Sequence, residues 1–323
     1  VAVILFEGGL SLRLSELRGS MGVLRRLISI GGGVSVVVAY FAGRHLLGLP
    51  PGPALLLAAV YIVTGPTVII PLLRHVRPRG KVGPLIRWEG IVNDPIGATL
   101  ALLVFDVLLA GGPSEATEVA ALVISKTLAA GLVLGLGSAW LLARAFARHI
   151  IPDFLQNPAA LTSVVVVFVL ANHVQEEAGL LAVTVMGMGL ANQKRVDLRH
   201  VVEFKENLQM LLLAALFVLL AARIDTSELA LLDWRAFAFV AVMILVARPL
   251  GVLLSTIGSD LTRNERIFLA WMAPRGIVAM AVVSLFALRL EIAGVEGIEP
   301  LVPVTFLLVV VTVIVYGLTA APL

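Results

Sequence analysis

The residues best suited to chemistry lie close together in one apolar stretch, at Glu89, Asn93 and Asp94. On a helix Glu89 and Asn93 share a face, whereas Asp94 points ~140° away from Glu89, so the two carboxylates can have different partners. If this stretch enters a bilayer at its first apolar residues, Asp94 lies ~14 Å deep, near the membrane centre. Pro95 also removes the backbone donor that would bond the carbonyl of Ile91, which leaves a polar group beside the acid. A carboxylate at that depth is a functional candidate.

Two other apolar stretches are interrupted near their middle. The interruptions read Thr64-Gly65-Pro66-Thr67 and Pro274-Arg275-Gly276. Because proline removes a backbone donor and glycine tolerates the resulting geometry, both stretches are predicted to be unwound helices. Each break taken alone also fits a simple proline kink in a packed bundle. Unwound backbone at membrane depth occurs only inside protein or beside water, so two such breaks indicate a buried site.

The composition identifies the class of protein that must position these residues. Of 323 residues, 59% are hydrophobic and 14% are charged, and the mean hydropathy is +1.03. These values predict an integral membrane protein. The chain has no cysteine, which excludes disulfides and thiolate metal sites. It opens on Val1-Ala2-Val3-Ile4-Leu5 without a methionine or a basic leader, so we expect an excerpt of a longer protein.

When the chain is divided at its polar and Gly/Pro-rich positions, the sequence predicts eleven apolar segments, the first of them truncated. The segments are 1–10, 21–47, 53–76, 84–110, 116–147, 158–174, 178–192, 204–224, 236–258, 264–290 and 299–323. The fold class expected is an all-α membrane protein, a polytopic helical bundle, with no soluble domain between the segments.

The distribution of basic residues predicts the orientation of the segments, because cytoplasmic loops accumulate Lys and Arg. Loops after even-numbered segments hold only Arg44, Arg223, Arg235 and Arg289. Loops after odd-numbered segments hold 17 basic residues: Arg13, Arg18, Arg25, Arg26, Arg74, Arg77, Arg79, Lys81, Arg87, Arg144, Arg148, Lys194, Arg195, Arg199, Lys205, Arg263 and Arg266. Odd-numbered segments therefore run inward, and the C-terminal end is expected to be cytoplasmic. Topology explains the basic runs, so nucleic acid is not an expected partner.

Few charges remain inside the predicted membrane segments. The basic ones are Lys126, Arg248 and Arg275, and the acidic ones are Glu7, Glu89 and Asp94. Intramembrane charges are costly unless they are paired or solvated, so these residues are functional candidates. Lys126 is expected to snorkel or to face a crevice rather than to bind a substrate. For Asp94, neutralisation by a neighbouring arginine is the purely structural alternative.

The two broken segments occupy matching positions. The third segment runs inward and the tenth outward, seven segments apart, so they belong to two halves of opposite orientation. Inverted repeats with broken helices that cross at the midplane are the recurring design of secondary transporters.

Five short motifs in this sequence resemble those of the sodium/proton exchanger family of monovalent cation/proton antiporters, and the resemblance covers essentially the whole chain. The Asn-Asp pair behind a glutamate is the most specific of them. The matching words are Phe6-Glu7-Gly8-Gly9-Leu10, Thr64-Gly65-Pro66-Thr67, Glu89-Gly90-Ile91-Val92-Asn93-Asp94, Ala247-Arg248-Pro249-Leu250-Gly251 and Ala273-Pro274-Arg275-Gly276. The resemblance implies a transmembrane exchanger domain over 1–323, in a core of inverted repeats that forms homodimers in the plasma membrane. It also implies that two N-terminal helices, and any cytoplasmic C-terminal domain, lie beyond this excerpt.

The resemblance also implies roles for single residues. Asp94 is similar to the carboxylate that takes either the cation or a proton, and Asn93 to the neighbour that shapes its site. Thr64 is similar to the broken-helix residue whose oxygen helps to coordinate the ion. The structural charge pair is Glu89 with Arg248.

Two auxiliary residues and two departures complete the comparison with the family. Glu7 resembles an acid on the cytoplasmic approach. Arg275 would compensate the charge of unwound helix ends, with pairing to Glu89 as the alternative. Gly65 stands where many relatives carry Asp, and Gly90 where some carry Ser, so the number of coordinating oxygens differs from the family pattern.

The function expected is therefore exchange of Na⁺, with Li⁺ or K⁺ as alternatives, for H⁺ by alternating access, with a role in pH homeostasis. The exchange is expected to be electroneutral, and no cofactor is expected. A K⁺/H⁺ antiporter of the same fold and a cation channel remain alternatives. A membrane-embedded enzyme is disfavoured, because no His-Glu-x-x-His word or ligand cluster occurs.

Overall fold

The computed structural model describes residues 1–17, 19–78, 80–109, 116–193, 211–212, 214–215, 218–219, 222 and 232–320, with the backbone alone at 66–67 and 116–120. Helices dominate these residues. The α-helices are α1 (Ala2–Leu10), α2 (Met21–Arg26), α3 (Gly32–His45), α4 (Pro51–Ile62), α5 (Pro66–Val76), α6 (Val82–Leu109), α7 (Ala116–Ala147), α8 (Gln156–Val174), α9 (Ala178–Asn192), α10 (Trp234–Val242), α11 (Arg248–Ser255), α12 (Arg263–Trp271), α13 (Ile277–Ile292) and α14 (Leu301–Thr319). Short π-helical turns at Leu27–Gly31 and Met243–Ala247 join α2 to α3 and α10 to α11.

Ten of the predicted apolar segments fall on described residues, and each forms one helix or a chain of helices. The eighth segment, 204–224, lies outside the described residues except at isolated positions. Several basic residues used for the orientation lie outside them as well: Arg18, Arg79, Lys194, Arg195, Arg199, Lys205 and Arg223.

Within the described ranges, six continuous helices are long and apolar enough to cross a membrane. They are Met21–His45, Val82–Leu109, Ala121–Ala147, Asp153–Val174, Trp234–Ser255 and Leu301–Thr319. The third and tenth predicted segments are discontinuous instead, with α4 followed by α5 and α12 followed by α13. The prediction of a polytopic helical bundle with two unwound helices is confirmed.

The chain forms two compact units. The first comprises residues 1–16 and 116–218, and the second comprises 17–115 and 219–323. In the first unit α9 packs against α1, α7 and α8. Gly9 of α1 and Gly187 of α9 lie against each other, and a Cβ on either would clash with the other helix's backbone. Small residues thus let the two backbones meet, as in many membrane helix pairs.

The second unit contains three pairs of matching elements. Its halves each contribute a helix with a π-helical turn, then a broken helix, then a long helix (α6 or α14). The two π-containing helices contact each other at Gly31 and Gly251, where a Cβ on Gly251 would lie 3.2 Å from the Gly31 carbonyl oxygen. The repeat of elements expected from the sequence is therefore present, and it extends to the π-helical turns, which no sequence motif indicated.

Local chemistry explains where the broken helices stop. At the first break, Val63 has ψ of 116°, outside the helical range, and Pro66 starts α5 at the position that needs no backbone donor. At the second, α12 ends before Met272, which has ψ of 104°, and Pro274 cannot continue the helix. Pro95, in contrast, lies within the uninterrupted α6.

Candidate ion site at the crossing of two unwound segments

Three residues of α6 lie on the face that approaches the first break. Gly90, Asp94 and Gly97 follow the i, i+4, i+7 spacing of one helix face. A Cβ on Gly97 would lie 2.8 Å from the backbone nitrogen of Val63, and one on Gly90 would lie 2.5 Å from Cδ1 of Ile69. The two glycines thus bring α6 close enough for Asp94 to face the unwound backbone.

The two breaks cross each other beside this face. The backbone N–H of Gly65 donates to the carbonyl of Pro274 at 3.2 Å. A Cβ on Gly65 would lie 2.5 Å from both the Cα and the nitrogen of Gly276, closer than real contacts allow. The crossing therefore depends on backbone meeting backbone, and glycine at position 65 is what permits it.

Asp94 is fully buried, with 0% of its surface exposed. Among the described residues, neither of its carboxylate oxygens has a hydrogen-bond partner of standard geometry. The backbone N–H of Thr64 and the guanidinium of Arg275 are the polar groups near enough to act on it. The side-chain oxygen of Asn93 is likewise buried and unsatisfied within the described part of the chain. Buried oxygens without partners are costly, so this cluster is suited to a ligand that supplies positive charge.

Thr64 lies at the first break, and the residue is 4% exposed, with a hydroxyl that can both donate and accept. The Thr64 hydroxyl donates to the carbonyl of Gly90 at 2.8 Å. A hydroxyl that donates its proton keeps its lone pairs for another partner. The arrangement therefore leaves the Thr64 oxygen able to bind a cation.

Arg275 is held at the C-terminal end of α4. Its Nη1 donates to the carbonyls of Ile62 and Val63, at N–O distances of 3.4 Å and 3.3 Å, and its backbone N–H donates to Thr312 Oγ1 at 3.2 Å. The last carbonyls of a helix carry partial negative charge and lack intrahelical donors. The structure thus places Arg275 on the unwound helix end, as one reading of the sequence expected, and not on Glu89.

Glu89 is paired with Arg248 instead. Arg248 Nη2 donates to Glu89 Oε2 at 2.9 Å, Nη1 donates to Oε1, and Nε donates to the carbonyl of Leu269 at 3.0 Å. Both residues are buried, at 4% and 8% exposure. This two-pronged geometry is the strongest form of arginine–carboxylate contact, and it leaves both charges compensated.

Two charged candidates lie in the other unit. Glu7 is a buried residue of α1, with 7% exposure. Lys126 is exposed on α7, which fits a side chain that reaches along the helix surface towards water. In the described part of the chain, no group of three His, Cys, Asp or Glu side chains could hold a resident metal ion.

The comparison with known proteins identifies the family. A family model described as sodium/hydrogen exchanger, transmembrane, matches residues 1–323. The chain belongs to the sodium/hydrogen exchanger family. This agrees with the resemblance seen in its sequence words.

Curated relatives of this exchanger-family chain carry two kinds of name. The K(+)/H(+) antiporter NhaP of Alkalimonas amylolytica is 26% identical over 327 residues, covering 100% of this chain and 55% of that protein. The Na(+)/H(+) antiporter 1 of Methanocaldococcus jannaschii is 28% identical over 297 residues, covering 86% and 67%. The chain spans about half the length of most of the curated relatives it matches.

A solved structure supports the exchanger fold. The sodium proton antiporter MjNhaP1 from Methanocaldococcus jannaschii at pH 8 matches with a TM-score of 0.81 and 24% identity, over 99% of this chain and 82% of that one. At this identity the match establishes the fold of the exchanger-family chain, and the site residues depend on the geometry above.

One residue at this site was missed by the sequence reasoning. Tyr61 lies in the last turn of α4 and contacts Arg275. The signal was present, since the chain has only 3 tyrosines and this one is polar within an apolar segment beside a break. A buried tyrosine hydroxyl needs a partner, so such a residue is informative.

Proposed function

We propose that this chain is the transmembrane part of a secondary transporter that exchanges a monovalent cation for H⁺ by alternating access. Asp94 is the shared site for the cation and the proton. One observation carries the proposal: a fully buried carboxylate without a hydrogen bond of standard geometry among the described residues faces the crossing of two unwound segments. Such a group must take up a positive ligand or a proton to be stable there.

Asp94, Asn93 and Thr64 form the proposed ion ligands. All three present oxygen, the ligand atom that hard cations prefer. The cation is the substrate, held only in transit. Because a proton on Asp94 neutralises the same carboxylate, the two substrates exclude each other, and that competition couples their movements.

Na⁺ is the proposed cation, with Li⁺ as a close alternative. A K⁺/H⁺ antiporter is the second candidate, and relatives named as K(+)/H(+) antiporters, in Alkalimonas and Shewanella, favour it. A cation channel is the third, since carboxylates and broken helices also line pores. Saturable flux that requires a counter-ion separates an antiporter from a channel.

The remaining residues have supporting roles in this proposal. Glu89 and Arg248 hold the second unit together, and Arg275 compensates the carbonyls at the end of α4. Glu7 is assigned as an auxiliary acid because its sequence motif resembles that of the family's acid on the cytoplasmic approach. We further propose a homodimer in the plasma membrane. Its C-terminal end is proposed to be cytoplasmic, because the loops after odd-numbered segments have an excess of Lys and Arg. The protein moves ions without covalent chemistry and is not an enzyme.

Proton flux in proteoliposomes tests the function. Vesicles carrying the full-length protein receive Na⁺, Li⁺ and K⁺ gradients in turn, with a pH-sensitive dye inside. An antiporter acidifies or alkalinises the lumen in response to at least one cation, saturably and reversibly. Cation flux that continues without any proton movement would instead identify a channel.

A further inference from the structure

Tyr61 interacts with Arg248 and with Arg275, the buried arginines among the described residues of the second unit. It is 4% exposed and stands three residues before Thr64. The guanidinium carbon of Arg275 lies 3.8 Å from the centre of its ring. Its hydroxyl donates to the carbonyl of Met243 at 3.0 Å. One side chain thus contacts the arginine of the ion site with its face and a distant backbone carbonyl with its edge.

The ring face completes the binding site of Arg275. The neighbouring carbonyls of Ile62 and Val63 take one end of the guanidinium, at 3.4 Å and 3.3 Å. Nε of Arg275 has no hydrogen-bond partner in the described ranges. A guanidinium is attracted by the face of an aromatic ring, most strongly where water is excluded. The ring therefore restrains a cation whose long, flexible side chain otherwise makes, among the described residues, two long hydrogen bonds.

An Arg275 released from the ring and from the α4 carbonyls could pair with Asp94 instead. It is near enough to Asp94 to act on that carboxylate electrostatically. An arginine that paired with Asp94 directly would occupy the place of the transported cation and would also favour the ionised carboxylate over the protonated one. Holding Arg275 on the α4 carbonyls keeps Asp94 available to both substrates.

The hydroxyl acts on the other arginine. Met243 begins the π-helical turn, and its carbonyl also accepts the backbone N–H of Arg248. Arg248 then reaches Glu89 and the Leu269 carbonyl. The Tyr61 hydroxyl therefore braces the turn that directs Arg248. Among the described residues, Tyr316 of α14 is a further ionisable group that interacts with this tyrosine and both arginines.

We propose that Tyr61 is a positioning residue of the exchange site, whose ring keeps Arg275 away from Asp94 and whose hydroxyl fixes the turn that directs Arg248. This inference rests on the function proposed above. The ring and the hydroxyl of Tyr61 have separate roles in this proposal, and two substitutions distinguish the roles. Tyr61→Phe keeps the ring and removes the hydroxyl, and Tyr61→Leu removes both.

The experiment measures cation-driven proton flux at several cation concentrations and pH values, together with thermal unfolding. For Tyr61→Leu we expect KM for the cation to rise about tenfold, as expected for a competing internal cation worth ~1.4 kcal/mol. The acid side of its pH profile moves to lower pH, because a freed Arg275 opposes protonation of Asp94. Tyr61→Phe keeps KM and the pH profile within about twofold of wild type, and its melting temperature falls.

Controls separate these effects from a general loss of packing. Tyr40→Leu changes another aromatic residue of the same unit, one that contacts Phe41, and should leave KM and the pH profile unchanged. Tyr61→Met replaces Tyr61→Leu if the latter does not fold. A ring-less variant with wild-type KM and pH profile, but a lower melting temperature, would overturn the proposal. So would a Tyr61→Phe variant whose KM rises as much as that of Tyr61→Leu. If wild-type protein in vesicles showed no cation–proton exchange, the proposed function itself would be contradicted.

Discussion

Two carboxylates on α6 show how differently one helix can use the same chemical group. Glu89 lies opposite Arg248 with both of its oxygens bonded. Asp94 stands five positions further on, more deeply buried, and neither oxygen has a standard hydrogen bond among the described residues. The pairing geometry, and not the burial, separates the two.

The comparison shows what an exchangeable charge requires. A carboxylate whose two oxygens are both bonded to a fixed arginine gains little from a new ligand, and removing its partner leaves a costly buried charge. A carboxylate that is buried without partners gains from either a cation or a proton. The same helix thus carries one charge suited to architecture and one suited to transport, and each prediction below tests this division.

The largest effect is expected for Asp94→Asn. The amide keeps the shape of the side chain and removes the negative charge that both substrates need, so exchange should fall to the level of empty vesicles. Proton flux in proteoliposomes measures it, with Asp106→Asn on the same helix as the matched control, which should remain active. Wild-type flux from folded Asp94→Asn protein would contradict the assignment of the shared site.

The second effect falls on stability. Removing one member of the Glu89–Arg248 pair, by Glu89→Gln or Arg248→Ala, should cost ~3 to 5 kcal/mol, because the other charge stays buried. Thermal unfolding of the purified full-length protein measures the loss, which should exceed that of Asp94→Asn. The control is Arg235→Ala, which breaks an exposed pair with Asp233 and should have little effect. If Glu89→Gln and Arg248→Ala kept wild-type stability and lost only transport, the pair would belong to the ion path.

Much of this division was visible in the sequence, for identifiable reasons. Prolines and glycines at Pro66, Pro274 and Gly276 interrupt long apolar runs, and such interruptions leave a clear pattern. The charges of Glu89, Asp94 and Arg248 stand out because an apolar segment makes every charged residue conspicuous.

Other features left no pattern in the sequence. The π-helical turns at Leu27–Gly31 and Met243–Ala247 consist of apolar residues apart from Ser29, and their pairing is visible only in three dimensions. The choice of partner for Arg275 was open for the same reason. It depends on the distance between a side chain in α12–α13 and the end of α4, which spacing along the chain does not encode.

A smaller effect is expected at the crossing that supports Asp94. Gly65→Ala adds a Cβ 2.5 Å from two backbone atoms of Gly276, so one break must shift. Overpacking of this kind costs ~1 to 3 kcal/mol, and displacement of Thr64 should also raise KM for the cation. Gly33→Ala in α3 is the matched control, because its Cβ meets open space and alanine favours a helix. Equal stability and KM in both variants would show that the breaks do not depend on this close approach.

The smallest effect is expected for membrane voltage, which should change neither the rate of exchange nor the final cation gradient. The expectation comes from counting charges in the second unit: Asp94 follows an amide, Asn93, and Glu89 is already compensated by Arg248. One carboxylate then carries either one cation or one proton, so the loaded site has the same charge in both directions of the cycle. Competition for that carboxylate also predicts that each pH unit below its half-ionisation point weakens apparent cation affinity about tenfold, ~1.4 kcal/mol. Above that point the counter-proton becomes scarce, so the pH profile of exchange should be bell-shaped.

Voltage decides whether this count is right. A cycle that moved one extra charge would gain or lose ~2.3 kcal/mol for every 100 mV of membrane potential. A potassium–valinomycin potential imposed on proteoliposomes, after potassium has been shown not to be a substrate, should leave both the rate and the final cation gradient unchanged. Asp94→Asn vesicles give the background for passive leak. A voltage-driven shift of the final gradient would mean that a second acid exchanges protons in the same cycle, and Glu7, the other buried intramembrane carboxylate predicted from the sequence, would be the first to replace by glutamine.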